Sequence, residues 1–324
     1  MDVGVGISED LPYDRQRDLA REVEAAGMRS LWTNEARGRD ALITCHVWGR
    51  ATDQLEVGVG VIPIWTRSPA QLAMGAASLQ EDLAGRFLLG LGVSHPATMG
   101  PWHGAEYRRP LTAADETLRI LRQLGEGDAA DVDGEVFSSR RFELEITPQP
   151  PTPVLYLAAM GPKMLRLAGR RADGVLLNWS TPSGVEESVA AVREGGESEV
   201  AAYVRVAVHD DREVARRALA RELGRYCALP AYAEHLARQG HGDTVERVKS
   251  AYKGGGSDAI ADTLSDDTLL DLGWFGTPSD DPGPTLHRYA QAGLDHLVAR
   301  VVVPGDDVEG AVRGTLSALA GTQH

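Results

Sequence analysis

His95 has the surroundings of a residue that moves a proton. It lies near the end of Arg86-Phe87-Leu88-Leu89-Gly90-Leu91-Gly92-Val93-Ser94-His95-Pro96, which opens apolar and closes in two glycines, a hydroxyl and an imidazole. An apolar run of this length suits a strand buried on both faces and is too short for a helix. In parallel α/β folds, ligands sit beyond the carboxyl ends of the strands. Glycine there lets a flat ring approach the main chain, and a histidine just past it can handle protons. The same residues also fit a strand ending in a tight turn, with His95 a solvated loop residue. Other expected strand ends bring an acid in Thr33-Asn34-Glu35, an amide in Leu177-Asn178-Trp179, and small residues in Val57-Gly58-Val59-Gly60-Val61. Ala158-Ala159-Met160-Gly161-Pro162-Lys163 opens a helix directly after a strand. Free amides at such a start attract anions, with Lys163 or Arg166 nearby, although an ordinary proline-initiated helix reads the same way.

Other chemistries lack their signatures. Gly58-Val59-Gly60 and Gly90-Leu91-Gly92 have no third glycine and lie inside apolar runs, so no dinucleotide fingerprint is present. Nine histidines are scattered without metal-ligand spacing, and Ser94 has no nucleophile elbow around it.

The elements that must hold these residues follow one repeated pattern. Residues 19–32, 164–177 and 286–298 each read as a helix, a glycine-containing stop and a strand, with Gly27 and Gly293 suited to a left-handed cap. Helix–strand units from end to end imply parallel strands with helical crossovers. Strands are expected at 3–7, 29–34, 56–62, 86–92, 153–159, 174–178, 201–208 and 296–302. Helices are expected at 14–26, 39–51, 69–84, 112–124, 162–170, 184–193, 212–227 and 307–320. Eight units favour a closed (β/α)8 TIM barrel over an open sheet, because closure leaves no bare edge. The whole chain, 1–324, reads as one such domain. Residues 131–147 resemble a small hairpin before the fifth strand, turning at Asp133-Gly134. Residues 229–285 are too long for a barrel loop and read as a helical insertion or lid before the eighth strand, with helices near 243–252 and 258–271 around a flexible Gly254-Gly255-Gly256.

Composition bounds the partners. A net charge of −14 repels nucleic acid and anionic membranes, so any anionic ligand must be held by local amides and a few placed cations. Two cysteines, Cys45 and Cys227, suggest a reducing compartment. Neither a secretory signal nor a membrane-length apolar run is evident, so a cytoplasmic protein is expected.

The motifs as a set resemble the luciferase-like superfamily of flavin and deazaflavin oxidoreductases, in particular its coenzyme F420-dependent branch. The resemblance is carried by Gly38-Arg39-Asp40, Ile64-Trp65-Thr66-Arg67-Ser68-Pro69-Ala70, Leu89-Gly90-Leu91-Gly92-Val93-Ser94-His95, Trp102-His103-Gly104 with Tyr107, Ala158 to Met164, and Ala172 to Trp179. It implies a barrel with the coenzyme at the carboxyl ends of the strands and a non-proline cis peptide at Gly60-Val61, forming a bulge behind the ring. Gly60, Val61, Gly92, Ser94, Met160, Gly161 and Asn178 would line the coenzyme, with its anionic tail near Gly161. His95 falls where some sugar-phosphate dehydrogenases of the family place an acid/base glutamate, and Glu35 where they place an aspartate. His95 is therefore expected to deliver the proton, with Glu35 as second candidate. Trp65, Trp102, Tyr107 and Trp179 would shape the substrate wall, a role aromatic residues share with plain core packing. Ala36 and Thr181 replace a histidine and a phosphate-binding lysine of those relatives, which argues against a sugar-phosphate substrate. The implied reaction is hydride transfer between F420 and a small organic substrate, reducing an activated C=C or C=O or running in reverse. An FMN-dependent monooxygenase is the alternative on the same fold, and a non-catalytic coenzyme-binding protein a second; a homodimer is compatible with either.

Overall fold

Each barrel strand is short, apolar and followed by a helix that returns the chain to the same end, so neighbouring strands run parallel. The computed structural model describes residues 1–7, 11–146 and 152–320. Its strands are β1 (Asp2–Gly6), β2 (Ser30–Thr33), β3 (Glu56–Pro63), β4 (Phe87–Gly92), β5 (Ala130–Val132), β6 (Ser139–Phe142), β7 (Val154–Ala158), β8 (Gly174–Asn178), β9 (Glu199–Val208), β10 (Gly273–Gly276) and β11 (His296–Val302). Pairing runs β11-β1-β2-β3-β4-β7-β8-β9, and β9 pairs with β11 to close an eight-stranded parallel barrel. The fold is the (β/α)8 TIM barrel expected from the repeat. Among the described residues no helix is long and apolar enough to cross a membrane.

The inward rows of the strands fill the barrel with Trp32, Leu88, Tyr156, Leu176, Ala201, Tyr203 and Val298. Trp32 and Tyr156 meet edge to face, 5.3 Å between centroids. Two rings of this size fit only because neighbouring strands carry glycine. A methyl on Gly58 would stand 2.6 Å from the Trp32 indole. The outward rows and the apolar faces of the helices form the larger core. At the amino end of the barrel, Arg29 binds Glu199 (2.8 Å) and Glu56 (2.9 Å), while His296 Nδ1 lies 3.2 Å from Glu199.

Helix starts follow the local chemistry of their sequences. Ser68 Oγ accepts from the Gln71 amide ahead of Pro69, and Thr181 Oγ1 accepts from the Gly184 amide ahead of Pro182. Gly27 and Gly293 take positive φ after their helices, as their positions predicted. The expected hairpin is β5 paired with β6; residue 147 lies outside the described residues. Glu116 pins the intervening loop by accepting from the amides of Glu135, Val136 and Phe137.

Three elements depart from the sequence expectation. Residues 96–103 form a helix, Pro96–His103, hidden in the sequence by Pro101 and by an apolar face reduced to the buried Met99. In the insertion, Pro230–Leu236 is helical; Gly242–Thr263 covers the first expected helix and the start of the second, with its break at Gly256 (φ +71°), and the rest of the second is a separate helix, Asp266–Leu272, capped by Ser265. Finally β10 adds a ninth strand. It is only four residues long and made half of glycine, and it exists because β9 outruns its neighbour: β8 covers Glu199–Tyr203, leaving Arg205–Val208 to pair with β10.

Candidate active site

The carboxyl ends of the strands bring most of the expected site residues to one rim. β3 breaks register with β4 between Val59 and Ile62, and within that bulge the Gly60–Val61 peptide is cis, as the resemblance implied. A methyl on Gly60 would lie 2.5 Å from both the Tyr203 hydroxyl and Leu176, so this backbone lies directly on the inner row. Next to it, Gly92 leaves room for Val61, whose Cγ2 would be 2.5 Å from an added Cβ. Gly161 differs from both: nothing lies within 4 Å of where its Cβ would be, and its helix, Pro162–Arg171, has no side-chain cap. Pro162 has no amide hydrogen and the Met164 amide bonds the Gly161 carbonyl (3.0 Å), so the Lys163 amide is the first-turn donor left for an anion.

Glu35 and His95 stand on either side of the bulge in different electrostatic settings. Glu35 donates its amide to the Val61 carbonyl (3.2 Å), and its carboxylate is gripped by Arg67, with Nη2 to Oε2 at 2.8 Å. The same guanidinium reaches Asp40 at 2.6 Å. Both carboxylate oxygens of Glu35 accept from Arg67, which holds the side chain in place. His95 caps the helix Pro96–His103: its Nδ1 accepts from the Ala97 amide at 3.1 Å. With Nδ1 occupied as an acceptor, the neutral ring carries its hydrogen on Nε2 and presents a donor. Ser94, exposed and left-handed (φ +53°), makes the turn that places it there.

The four expected wall aromatics separate into three groups. Trp65 and Tyr107 come together, 5.1 Å between centroids, with Phe137 against the far side of Trp65. Trp65 Nε1 donates to the Val93 carbonyl (2.8 Å), which ties the pair to the turn before His95, and burial raises the Tyr107 phenol above its ordinary range. Trp102 is 51% exposed, with Arg37 over its ring. Trp179 is 1% exposed and packs into the core shared with the insertion, its ring 5.2 Å from Tyr226.

On that side the insertion is hydrogen-bonded to the rim. Asn178 Nδ2 donates to the Tyr232 hydroxyl (2.7 Å) and its Oδ1 accepts from Arg205. Gln239 Nε2 donates to the Trp179 carbonyl (3.0 Å), and its Oε1 accepts from the Thr181 amide (2.8 Å). Arg238 donates to the Met160 carbonyl (3.2 Å). Buried beneath this contact, His235 is pushed down to about 4 by loss of solvation, with the Arg238 charge adding to the effect.

The sequence model of the family described as luciferase-like monooxygenase matches residues 1–296. The chain belongs to the luciferase-like monooxygenase family. Its relatives include 5,10-methylenetetrahydromethanopterin reductases of Archaeoglobus fulgidus, 28% identical with 92% of this chain and 93% of the relative covered, and of Methanolobus tindarius, 28% identical over 92% and 94%. The coenzyme F420-dependent tetrahydromethanopterin reductase of Methanopyrus kandleri has the same fold, with a TM-score of 0.82 at 22% identity and 98% of each chain covered.

Within this luciferase-like barrel, sequence reasoning overlooked Arg67, Arg205, Tyr232 and Gln239. Arg205 carried a readable signal, a lone charge in the apolar run Ala201 to Val208. Arg67 lies in the motif Ile64 to Ala70, where no neighbouring residue in the sequence marks its partner Glu35. Tyr232 and Gln239 had no local signal, because their partners lie more than fifty residues away. Among the described residues, no three His, Cys, Asp or Glu side chains converge as a metal group would require.

Proposed function

We propose that this chain binds coenzyme F420 and transfers hydride between it and a small organic substrate, reducing an activated C=C or C=O or running in reverse. The observation that carries this reading is bare main chain at the barrel mouth, in the β3 bulge at Gly60–Val61, at Gly92 and at the open position of Gly161. One relative, 28% identical over 80% of this chain, is named a putative coenzyme F420-dependent oxidoreductase of Mycobacterium tuberculosis, which supports the choice of coenzyme. These residues fit a flat ring lying on backbone with an anionic tail beyond it. Gly60, Val61, Gly92 and Ser94 would border the ring, and the Lys163 amide after Gly161 would receive the tail, with Met160 and Asn178 at the neighbouring strand ends. When bound, the deazaflavin supplies two-electron hydride chemistry.

The chain's own residues position, shield and protonate. His95 presents Nε2–H to a substrate oxygen or carbanion and completes the proton balance of the reduction. Glu35, neutralised by Arg67, holds the bulge through its amide contact with Val61 and acts as a positioning residue. Trp65 and Tyr107 provide an apolar wall on the His95 side. The insertion, hydrogen-bonded to the opposite rim, serves as a lid that excludes water.

Parallel titrations with F420 and FMN, followed by coenzyme fluorescence, test the reading. F420 should bind about tenfold or more tighter than FMN. Tight FMN binding with no response to F420 would move the protein to the monooxygenase reading. Tight F420 binding without turnover on a broad panel of enones, imines, ketones and alcohols would make it a coenzyme-binding protein.

A further inference from the structure

Near its carboxyl end the inward row of β9 carries a cation that, among the described residues, has no acidic hydrogen-bond partner. Arg205 follows Ala201 and Tyr203 on that row and is 3% exposed. Its hydrogen-bond partners are neutral oxygens, the Asn178 amide oxygen and the Tyr226 hydroxyl (3.0 Å). Around it stand the faces of Trp179 (4.5 Å to the centroid), Tyr226 (5.1 Å) and Tyr203 (6.0 Å). A buried guanidinium in a protein is ordinarily paired with a carboxylate, since desolvating an unpaired charge is costly. Among the described residues no acid is in hydrogen-bonding contact with it.

The surroundings share a polarity. Arg205 Nε, Trp179 Nε1 and Ser180 Oγ are buried and have no hydrogen-bond partner, and all three can donate. His235, on the insertion element packed over this loop, faces the backbone of Asn178, Trp179 and Met160. Unsatisfied donors on the guanidinium and on the indole it faces, with a third on Ser180 next in the chain, form the complement of an anionic oxygen group. Tyr203 connects this place to the candidate active site, because its hydroxyl meets the position above Gly60.

We propose that Arg205, with Trp179 and Ser180, forms an anion subsite for a carboxylate or phosphate at the edge of the ring site, reached when the insertion lifts. The neutral Tyr226 and Asn178 contacts hold the guanidinium until the anion takes their place. Two sources carry such a group, the acceptor itself and the anionic tail of the coenzyme; only this choice of source rests on the F420 reading.

The test begins without coenzyme. Inorganic phosphate or succinate, added at ionic strength matched with chloride, should raise the melting temperature saturably, and Arg205→Gln should weaken that apparent affinity about tenfold or more. No protection beyond chloride, or equal protection of the variant, would overturn the subsite. Should Arg205→Gln fail to fold, Tyr226→Phe decides. Loss of the competing hydroxyl should tighten phosphate or succinate about threefold, and unchanged or weaker binding would count against the proposal. Titration with F420 and with the same chromophore lacking its anionic tail then assigns the source. An Arg205→Gln effect on F420 alone marks the tail, and no effect on either marks the acceptor. Arginine-dependent protection in a protein that ignores F420 would leave the subsite standing and remove the F420 reading.

Discussion

At the residue scale, His95 and Glu35 differ in what already occupies their polar atoms. His95 spends Nδ1 on the Ala97 amide and, in the proposed mechanism, would offer Nε2 to a substrate. Glu35 spends its carboxylate on Arg67. Substituting His95 by Ala should therefore reduce turnover about 100-fold at saturating coenzyme, and it should also lower stability by about 1 kcal/mol through loss of the cap. His95→Asn, which can still cap, should recover the stability and leave turnover low; steady-state kinetics beside urea melts separate the two effects. Glu35→Gln should behave in the opposite way. It leaves Arg67 a weaker partner, so about 1–3 kcal/mol of stability is lost while kcat falls less than in His95→Ala. A larger kcat loss in Glu35→Gln than in His95→Ala would reverse the assignment.

At the scale of elements, β3 and the insertion determine what reaches the rim. The bulge in β3 works because its glycine packs against the inner row. Gly60→Ala would place a methyl 2.5 Å from the Tyr203 hydroxyl and Leu176. This overpacking should cost about 1–3 kcal/mol, and coenzyme affinity should fall with it, both read from a urea melt and a fluorescence titration. On the other side, the long-range bonds of Gln239 are a latch. Its neighbour Gly240 is left-handed (φ +86°), so the kink that aims the glutamine depends on a residue without a side chain. Gln239→Ala should speed amide exchange across residues 230–272 and leave exchange in β1 and β11 unchanged. Uniform acceleration over the whole barrel would show that the insertion opens only with global unfolding.

For the whole molecule, one buried and one half-buried group make stability fall as acid is added, in separate ranges. Burial and the Arg238 charge hold His235 near 4, below its ordinary 6.5. The unfolded chain thus takes up a proton that the folded chain refuses, and stability is lost as pH falls from 6.5 through 4. Glu199 adds the second range. Burial alone would raise it, but His296 and Arg29 hold it down to about 2 against an ordinary 4.5, so its contribution is full above 4.5 and lost as pH falls toward 2. Urea midpoints measured across this span should decline in both windows. His235→Asn should flatten the upper window and Glu199→Gln the lower; a midpoint independent of pH in both would show that neither group is held as the fold implies.

Periodicity and punctuation within single segments determined the architecture. The helix–glycine–strand repeats around Gly27 and Gly293, the Ser68-Pro69 and Thr181-Pro182 starts and the apolar runs from β1 to β11 each act over a few residues, and the barrel follows because parallel strands must close or be covered. The residue types at the strand ends, from Glu35 to Asn178, were legible for the same reason. Pairing over distance was not. That Trp179 is buried under the insertion while Trp102 stands in solvent, that Arg67 takes the charge of Glu35, and that β10 extends along β9 all depend on contacts between segments far apart in the chain. Only the closed fold decides these, because the free energy of a buried charge or ring is set by its neighbours across space and local sequence does not name them.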